Sequence, residues 1–360
     1  MNKKLRVALL FGGCSAEHDV SLLSARNVFR ALDPVRYDVV PIGVTRAGAW
    51  TLCPPIDGDF PTRVSADGPL LTLLPGGGGR FVIASAVGRE PPAPVDVIFP
   101  VLHGPFGEDG SVQGFAELAG VQFVGAGTFA SAAAMDKDAA KRLMREAGLA
   151  VARFRAVTPG DAPPSFAALV EELGRPLFVK PARLGSSVGV SRADSAEEFD
   201  AALREAFRHD RKVLIEECLR GREVECGVLE GEDGALLTSL PGEIVPTNRH
   251  AFYTYEAKYL DKEGADLKVP ADLPKALVAR VRDMSVRAFR ALGCEAMARV
   301  DFFLRDDMSL VVNEVNTIPG FTDISMYPLA FAASGVPNSE LVDRLIRHAL
   351  ARAGRIHQQP

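Results

Sequence analysis

The sequence lacks a long apolar run, and it lacks any closely spaced pair of cysteines. A helix that spans a membrane needs roughly 18 or more consecutive apolar residues, and no stretch approaches that length. The five cysteines are odd in number, widely scattered and without a C-x-x-C pair, which argues against a disulfide framework or a zinc site. We therefore expect a protein of the reducing cytoplasm that is not held in a bilayer.

Positive charge is also in short supply. Lys and Arg total 41 against 46 Asp and Glu, which gives a formal net charge of -5. A protein that binds nucleic acid or anionic lipid through bulk electrostatics needs the opposite balance. We therefore expect no nucleic-acid or membrane partner, and a small molecule or another protein instead.

A βαβ pattern runs through residues 1–135. The opening MNKKLRVALLFGG has no A-x-A cleavage site, so it is interpreted as a first strand rather than a secretory leader. A helical spacing of apolar residues follows, and YDVVPIGVT, PVDVIFPVLHG and VQFVGAG supply further strands. This pattern predicts an α/β domain with a doubly wound, mostly parallel sheet. Residues 52–94 are rich in Pro and Gly and are interpreted as an irregular stretch or hairpin.

The remaining sequence carries mixed α+β signals, which divide into a central unit, residues 136–220, and a C-terminal unit, residues 221–360. The central unit opens with the helix MDKDAAKRLMREAG, for which Asp138 is the expected N-cap and Gly148 the glycine after its end. The C-terminal unit contains a long polar loop over residues 246–270 and the strands AMARVDFFL and SLVVNEVN. Two or three domains agree with a length of 360 residues.

These two C-terminal strands bring oxygen ligands together. Strand residues alternate faces, so Arg299 and Asp301 point the same way, as do Glu314 and Asn316 on the second strand. If the turn RDDM pairs the strands antiparallel, three oxygen-bearing side chains meet beside the Arg299 guanidinium, a set that suits Mg²⁺ shared with substrate phosphates. A charged hairpin face that only confers solubility is the alternative. The turn NTIPG that follows, with Gly320, favours a ligand site.

A small-residue loop, FVKPARLGSSVGVS, follows the strand that ends at Lys180. Such a loop can direct successive N–H groups and hydroxyls at phosphate oxygens, although it is not a Walker A loop because no GK[ST] follows. A flexible hairpin turn is the alternative. Taken singly, Lys137 and Lys180 are more often surface lysines.

A short segment, VLIEECLRGREVECGV, joins two further strands. This geometry leaves backbone donors and acceptors at Glu217 and Leu219 free for the edge of an adenine, with Glu223 near ribose hydroxyls. On spacing alone, acidic residues at a domain junction are the stronger interpretation.

Together, these segments resemble the D-alanine–D-alanine ligases of the ATP-grasp superfamily along nearly the whole chain. The motifs that carry the resemblance, in the family's order, are FGGCSAEHDVS, LHGPFGEDGSVQG, MDK, FVKPARLGSSVGVS, EECLRGRE, FYTYEAKYL, ARVDFFL and NEVNTIPGFTDISMYP. One such motif is weak, but eight in order are specific. The resemblance implies a three-domain ATP-grasp architecture and the ATP-dependent ligation of two D-alanines, through an acyl phosphate, for peptidoglycan precursor synthesis.

The resemblance also assigns residues that bind the nucleotide and metal. ATP is expected to be held by lysines at its phosphates and by an acidic segment at its adenine and ribose, and two Mg²⁺ ions, which Mn²⁺ can replace, by the hairpin. The phosphate residues are Lys137, Lys180 and Lys258, the adenine and ribose residues are Glu216, Glu217, Leu219 and Glu223, and the metal ligands are Asp301, Glu314 and Asn316.

For the first D-alanine, the resemblance implies that Glu17 holds the ammonium group while Val20 and His103 line the pocket. Arg299 and the amide of Gly320 match the donors that stabilise the oxyanion. The substrate, by this assignment, lies between the start of the chain and the carboxylate hairpin.

For the second D-alanine, the matching residues are Ser325 and Met326. Glu17, Ser186 and Tyr259 correspond to a hydrogen-bonded triad that locks the loop of residues 246–270 as a lid. Tyr259 also predicts a peptide product, because ligases of the family that use D-lactate have a histidine at the corresponding place. The family is commonly dimeric, so a homodimer is expected.

Three residues depart from the family pattern. Cys14 and Asp19 stand where a lysine and a glutamate are expected, and Arg183 replaces an asparagine beside the phosphate loop, where it could change nucleotide affinity. Three other functions are compatible with parts of the pattern. They are an ATP-grasp ligase of other amino acids, a nucleotide-binding module without catalysis, and a phosphotransferase that stops at phosphorylation.

Overall fold

A computed structural model describes residues 3–84, 90–161, 164–246 and 265–356. Lys258 and Tyr259, with most of the expected lid, lie outside these residues. Within the described ranges the chain forms a mixed α/β fold with three sheets, each built from a different part of the sequence. No helix in those ranges combines the length and the apolar character needed to cross a membrane.

The described chain contains both strands and helices, and runs of strands separate several of the helices. The strands are β1 (Leu5–Gly12), β2 (Tyr37–Val44), β3 (Trp50–Leu52), β4 (Leu70–Leu73), β5 (Phe81–Ile83), β6 (Val97–Val101), β7 (Gln122–Phe123), β8 (Phe154–Val157), β9 (Leu177–Pro181), β10 (Ser191–Ala193), β11 (Val213–Glu217), β12 (Arg222–Glu230), β13 (Leu236–Thr238), β14 (Gly242–Pro246), β15 (Ala265–Lys268), β16 (Met297–Leu304) and β17 (Leu310–Asn316). The helices are α1 (His18–Ala31), α2 (Ser111–Ala119), α3 (Thr128–Met135), α4 (Lys137–Glu146), α5 (Phe166–Leu173), α6 (Ala196–His209), α7 (Lys275–Ala291), α8 (Met326–Ala333) and α9 (Asn338–Ile356).

The first sheet has the strand order β5-β4-β3-β2-β1-β6-β7. Its strands β2, β1, β6 and β7 pair in parallel, whereas β3, β4 and β5 extend the sheet antiparallel. The stretch of residues 52–94 therefore contributes short strands to the sheet edge. Both faces of β1 are buried, because Leu9 packs in a cluster with Leu345 of α9 while Leu10 packs in another with Ala116 of α2. The C-terminal helix thus packs against the N-terminal sheet.

The other two sheets are antiparallel. The second has the order β10-β9-β11-β8, and residues of α5 and α6 pack against it. The third has the order β15-β14-β12-β16-β17, with β13 paired to β12. On the third sheet, Gly227 has no side chain, and this allows α8 to pack closely. A Cβ at this position would stand 2.6 Å from the ring of Phe331. Tyr327 of the same helix donates a hydrogen bond of 3.0 Å to the carbonyl of Val228.

The N-cap of α4 is Asp136, so the prediction of Asp138 was wrong. Asp136 has extended backbone angles, and its carboxylate accepts hydrogen bonds of 3.1 Å from the N–H groups of Asp138 and Ala139. Asp138 lies in the first turn instead. Gly148 follows the helix with a φ of 72°, as predicted. The cap makes Lys137 the first helical residue and fixes its direction.

Candidate active site

A cavity lies between the start of α1, the loop after β9 and the paired strands β16 and β17. It brings together residues that are far apart in the sequence and that include many of the predicted site residues. Its lining is Glu17, Glu108, Ala134, Met135, Lys137, Gly185, Ser186, Arg299, Glu314, Val315, Asn316 and Thr317.

The carboxylate hairpin forms one wall of this cavity with the pairing that its alternation predicts. Strands β16 and β17 are antiparallel, with Arg299 opposite Asn316 and Asp301 opposite Glu314. Asp301 accepts two hydrogen bonds of 2.7 Å from the guanidinium of Arg299 and one of 3.0 Å from the amide of Asn316. The register shifts directly after Asp301. This bulge ends the regular pairing at the carboxylate pair.

The sequence did not reveal Glu225, a further carboxylate at this wall. It lies on β12 opposite Asp301, is buried, and its Oε2 is 2.9 Å from Nε of Arg299. One guanidinium therefore faces two carboxylates. A charged residue in the middle of the otherwise buried strand β12 was the available signal.

Asp301, Glu314 and Asn316 are the candidate metal ligands. Among the described residues, no three or more His, Cys, Asp or Glu side chains are grouped to hold a metal ion. The predicted set contains only two carboxylates and one amide, and hard oxygen donors of this kind fit Mg²⁺, which keeps waters and substrate oxygens in its shell. Arg299 already bonds Asp301, so a cation here would share that carboxylate.

Glu17 and Ser186 join the start of α1 to the loop after β9. Glu17 stands at the N-terminus of α1 and is buried. Its Oε1 accepts a hydrogen bond of 2.5 Å from the hydroxyl of Ser186. Val20, one turn into α1, is also buried. A buried carboxylate with one hydroxyl donor suits an ammonium group as a further partner.

His103 offers a hydrogen-bond acceptor near this carboxylate. Its side chain is buried, and burial lowers the pKa of the imidazole, which favours the neutral ring. Nδ1 is 3.1 Å from the carbonyl of Ile318, so Nδ1 must carry the proton. Nε2 is then a lone-pair acceptor, and it is buried without a hydrogen-bond partner in the described part of the chain. Such an atom can accept from a substrate ammonium.

Glu108 also lines the cavity, and no role was predicted for it although it lies in the motif LHGPFGEDGSVQG. Burial and the charge of Glu17 raise its pKa to about 8. The N–H groups of Gly104 and Ile318, at 2.7 and 3.4 Å, and the charge of Arg299 act in the opposite direction. The carboxyl group is therefore protonated to a large extent at neutral pH.

Lysines and positive-φ residues gather on the nucleotide side. Lys137 Nζ donates a hydrogen bond of 2.6 Å to the carbonyl of Leu184, directly before the phosphate loop. Ser186 and Ser187 have φ values of 53° and 58°. Consecutive residues in this region turn backbone N–H groups toward one side, which forms a concave surface for anions. Lys180 Nζ is 2.7 Å from Glu216 Oε2.

The segment predicted to contact adenine makes more hydrogen bonds within the protein than the sequence predicts. The N–H of Glu217 donates to the carbonyl of Arg153 at 3.1 Å, so the prediction that this donor is free was wrong. The pairing of β8 with β11 continues past Glu216, and Arg153 also donates to the Glu217 carboxylate at 2.8 and 2.9 Å. Leu219 lies in the connection between β11 and β12, and Glu223 lies on β12.

The residues predicted for the second D-alanine lie at the start of α8, with Ser325 at its N-cap and Met326 as its first residue. Ser325 Oγ accepts a hydrogen bond of 3.0 Å from the N–H of Thr322, and a Cβ at Gly320 would stand 2.6 Å from the same oxygen. Met326 is buried, and its sulfur would be 2.0 Å from a Cβ at Gly242. The methionine therefore packs directly on the backbone of β14.

The three departures from the family pattern have partners or positions of their own. Arg183 donates hydrogen bonds of 2.5 and 3.2 Å to Asp210 Oδ1, so its guanidinium is paired with a carboxylate. Asp19 pairs with Arg46 at 3.1 Å, and Cys14 is exposed. These contacts do not involve the cavity residues.

The sequence of the chain is similar to those of known proteins. The chain matches the families described as D-ala D-ala ligase N-terminus over residues 6–126 and D-ala D-ala ligase C-terminus over residues 143–347. It is 61% identical over 355 residues to D-alanine--D-alanine ligase A of Mesorhizobium japonicum, which covers 98% of this chain and 99% of that protein.

Solved structures give the same result. The D-alanine-D-alanine ligase from Coxiella burnetii has a TM-score of 0.85 and 34% identity, with 99% of this chain and 96% of that chain covered. The VanG D-Ala:D-Ser ligase from Enterococcus faecalis has a TM-score of 0.84 and 34% identity, with 96% and 100% covered.

Both matched segments contribute to the cavity. The first contains Glu17 and Glu108, and the second contains Ser186, Arg299 and Glu314. The chain therefore belongs to the D-alanine–D-alanine ligase family, whose members are ATP-grasp enzymes that use ATP to make D-alanyl-D-alanine for peptidoglycan precursors.

Proposed function

We propose that this cavity is where the chain joins two D-alanine molecules, with release of ADP and phosphate. The observation that carries the proposal is the convergence of Glu17, Lys137, Arg299 and Glu314 on one cavity. Glu17, Lys137 and the hairpin that carries Arg299 and Glu314 come from three separate parts of the sequence, and each of the four residues has a type that suits one part of the reaction.

In the first step, the carboxylate of the first D-alanine attacks the γ-phosphorus of ATP and forms an acyl phosphate. Glu17 and His103 Nε2 would hold the ammonium group, so the carboxylate is directed toward the hairpin. Lys137 and Lys180 would offset the phosphate charge. Lys258 is proposed for the same role and lies outside the described residues.

Asp301, Glu314 and Asn316 would hold the magnesium ions, for which manganese can substitute. When bound, these ions neutralise phosphate charge and orient the transferred group. The support for this assignment is the donor set, which contains hard oxygens and has Asp301 opposite Glu314. Glu216, Glu217 and Leu219 are proposed to line the adenine, and Glu223 the ribose.

In the second step, the deprotonated amine of the second D-alanine attacks the acyl carbon, and phosphate leaves from the tetrahedral intermediate. Arg299 and the Gly320 amide would donate to the oxyanion of that intermediate. Acyl phosphates hydrolyse, so the site must exclude water. Ser186, bonded to Glu17, and Tyr259, outside the described residues, would hold the lid over the site.

The second substrate needs separate support, because one similar structure is of a D-Ala:D-Ser ligase. We propose D-alanine. Met326 is buried against β14 and would give the second subsite an apolar wall, which suits a methyl group. A D-serine hydroxyl left without a partner there would cost about 1–3 kcal/mol.

Phosphate release and product mass test the function together. Phosphate release from ATP is measured with and without D-alanine, and then with D-alanine, D-serine and D-lactate in competition from pH 6 to 8. We expect release to require D-alanine and the product to be D-alanyl-D-alanine. ATP turnover without a dipeptide would support a phosphotransferase, and preferred D-serine or an ester product would contradict the second-subsite assignment.

We further propose three domains, residues 1–135, 136–220 and 221–360, the first with a doubly wound sheet. Helices α1 and α2 on opposite faces of the parallel strands support that sheet type. A cytoplasmic homodimer is proposed from the resemblance. Light scattering of the purified chain tests the dimer, and limited proteolysis tests the domain boundaries.

A further inference from the structure

Lys141 is a buried cation that none of the assignments above uses. It lies on α4, and its side chain is 0% exposed. Its Nζ is 3.3 Å from Oε1 of Glu216, while the other oxygen of Glu216 is 2.7 Å from Nζ of Lys180. Glu216, itself 5% exposed, thus lies between a fully buried lysine and a lysine of the proposed phosphate site.

This arrangement is costly for a helix that packs in the core. Neighbours of Lys141 on α4, Ala140 and Met144, belong to a hydrophobic cluster. Removing an ammonium from water is unfavourable even after relaxation, and one ion pair offsets that cost only in part. Nζ of Lys141 has no hydrogen-bond partner in the described part of the chain, and neither has Oε1 of Glu216.

The two lysines affect the ionisation of Glu216. Burial lowers the pKa of Lys141, whereas the two lysines lower the pKa of Glu216 despite its own burial. Both lysines thus favour the ionised form of Glu216, and the geometry gives this one carboxylate two cationic partners. If Lys180 were its only partner, moving Lys180 to a phosphate would leave a buried carboxylate unpaired.

We propose that Lys141 is a positioning residue for ATP binding, which keeps Glu216 paired so that Lys180 can leave it for the phosphates of the nucleotide. The inference rests on the proposed function in assigning Lys180 to the phosphates. Lys141 does not itself contact the nucleotide. It lowers the cost of transferring Lys180, because Glu216 retains one cation throughout.

A double-mutant cycle on ATP affinity tests this role. Lys141→Met keeps the length of the side chain and removes its charge, so among the described residues only Lys180 still pairs with the carboxylate of Glu216. We expect the Kd for ATP, measured by calorimetry without D-alanine, to rise at least about tenfold. The KM for ATP should rise with it, while the KM for D-alanine and kcat at saturating ATP should change less than about twofold.

The second arm neutralises the carboxylate. In Lys141→Met/Glu216→Gln nothing holds Lys180 back, so the Kd for ATP should return to that of Glu216→Gln alone. If Lys141 had only a structural role, each substitution would weaken ATP binding independently. The Kd for ATP of the double variant would then be higher than that of either single variant. Arg142→Met removes a charge from the next position of α4, where the side chain is 61% exposed, and should leave the Kd unchanged.

Two outcomes would overturn the proposal, an unchanged Kd for ATP in Lys141→Met or a double variant that binds no better than Lys141→Met. If Lys141→Met does not fold, as judged by circular dichroism, Lys141→Gln takes its place in the same cycle. Its amide can still donate to Glu216, so an intermediate rise in Kd is expected. Since the cycle reads ATP binding alone, it remains interpretable if the chain shows no D-alanine-dependent phosphate release.

Discussion

Ser186 Oγ donates a hydrogen bond of 2.5 Å to Glu17 Oε1, although 169 residues separate the two in the sequence. The contact joins the loop after β9 to the N-terminus of α1. Ser186 adopts a φ of 53°, a region that non-glycine residues rarely occupy, and its loop is directed at the cavity. The bond therefore couples the phosphate loop to the carboxylate proposed for the first D-alanine.

We expect Ser186→Ala to weaken binding of the first D-alanine. A hydrogen bond to a charged group contributes about 1.5–3 kcal/mol, so the KM for D-alanine should rise roughly 10- to 100-fold. The KM for ATP should change much less. Ser187→Ala, in the next position of the same loop, is the control. Equal effects of the two substitutions would show that general loop damage, and not the bond to Glu17, is responsible.

We expect Glu314→Gln to abolish most turnover while the fold stays intact. A neutral amide binds Mg²⁺ more weakly and leaves phosphoryl charge uncompensated, and the apparent affinity for magnesium should fall. Turnover as a function of magnesium concentration, together with the melting temperature, gives the measurement. Asp306→Asn, at the exposed turn of the same hairpin, should behave as wild type. Near-normal activity of Glu314→Gln would reject the metal assignment.

Arg299→Ala should lower kcat by about two to three orders of magnitude, the usual loss when one oxyanion donor is removed. The structure adds a second consequence, because Glu225 and Asp301 would then face each other without the guanidinium between them. Steady-state kinetics for ATP and D-alanine separate the contributions. Arg290→Ala, at an exposed position in the last turn of α7, is the control. If only the KM for ATP rises, Arg299 belongs to the phosphate site.

The hairpin could be predicted because it is local. Alternation along β16 and β17 fixes which side chains share a face, and the short turn leaves one simple pairing, so Asp301 and Glu314 meet as expected. Resemblance to a family supplied Glu17 and Ser186, whose contact no local pattern contains. Short edge strands within residues 52–94 were not resolved by periodicity, since β4 has four residues and β5 has three.

The residues that were missed depend on contacts between distant segments. Glu225 was visible only as a charge in a buried strand, and Lys141 only as one lysine of an amphipathic helix. Their partners, Arg299 and Glu216, lie 74 and 75 positions away in the sequence. The cap of α4 was misassigned for another reason, because MDKD offers two aspartates and the backbone angles decide between them.

Glu108 gives a pH dependence whose sign follows from its environment. Its pKa is raised from 4.5 to about 8 by burial and by Glu17, against the opposing charge of Arg299. Burial lowers the pKa of the His103 imidazole, against the charge of Glu17. The neutral ring is therefore favoured and adds little positive charge. In the unfolded chain, by contrast, the carboxyl group is in water and ionises near its ordinary pKa.

Between pH 4.5 and 8 the native chain therefore keeps a proton on Glu108 that the unfolded chain has released. Raising the pH favours the unfolded state in this window, by up to about 1.4 kcal/mol per pH unit from this one group. Glu108→Gln is neutral at every pH, so its melting temperature without ligands should fall less steeply from pH 5 to 8 than that of the wild type. Glu117→Gln, on the exposed side of α2, should reproduce the wild-type slope. Parallel curves for Glu108→Gln and the wild type would show that Glu108 is ionised in the folded protein at neutral pH.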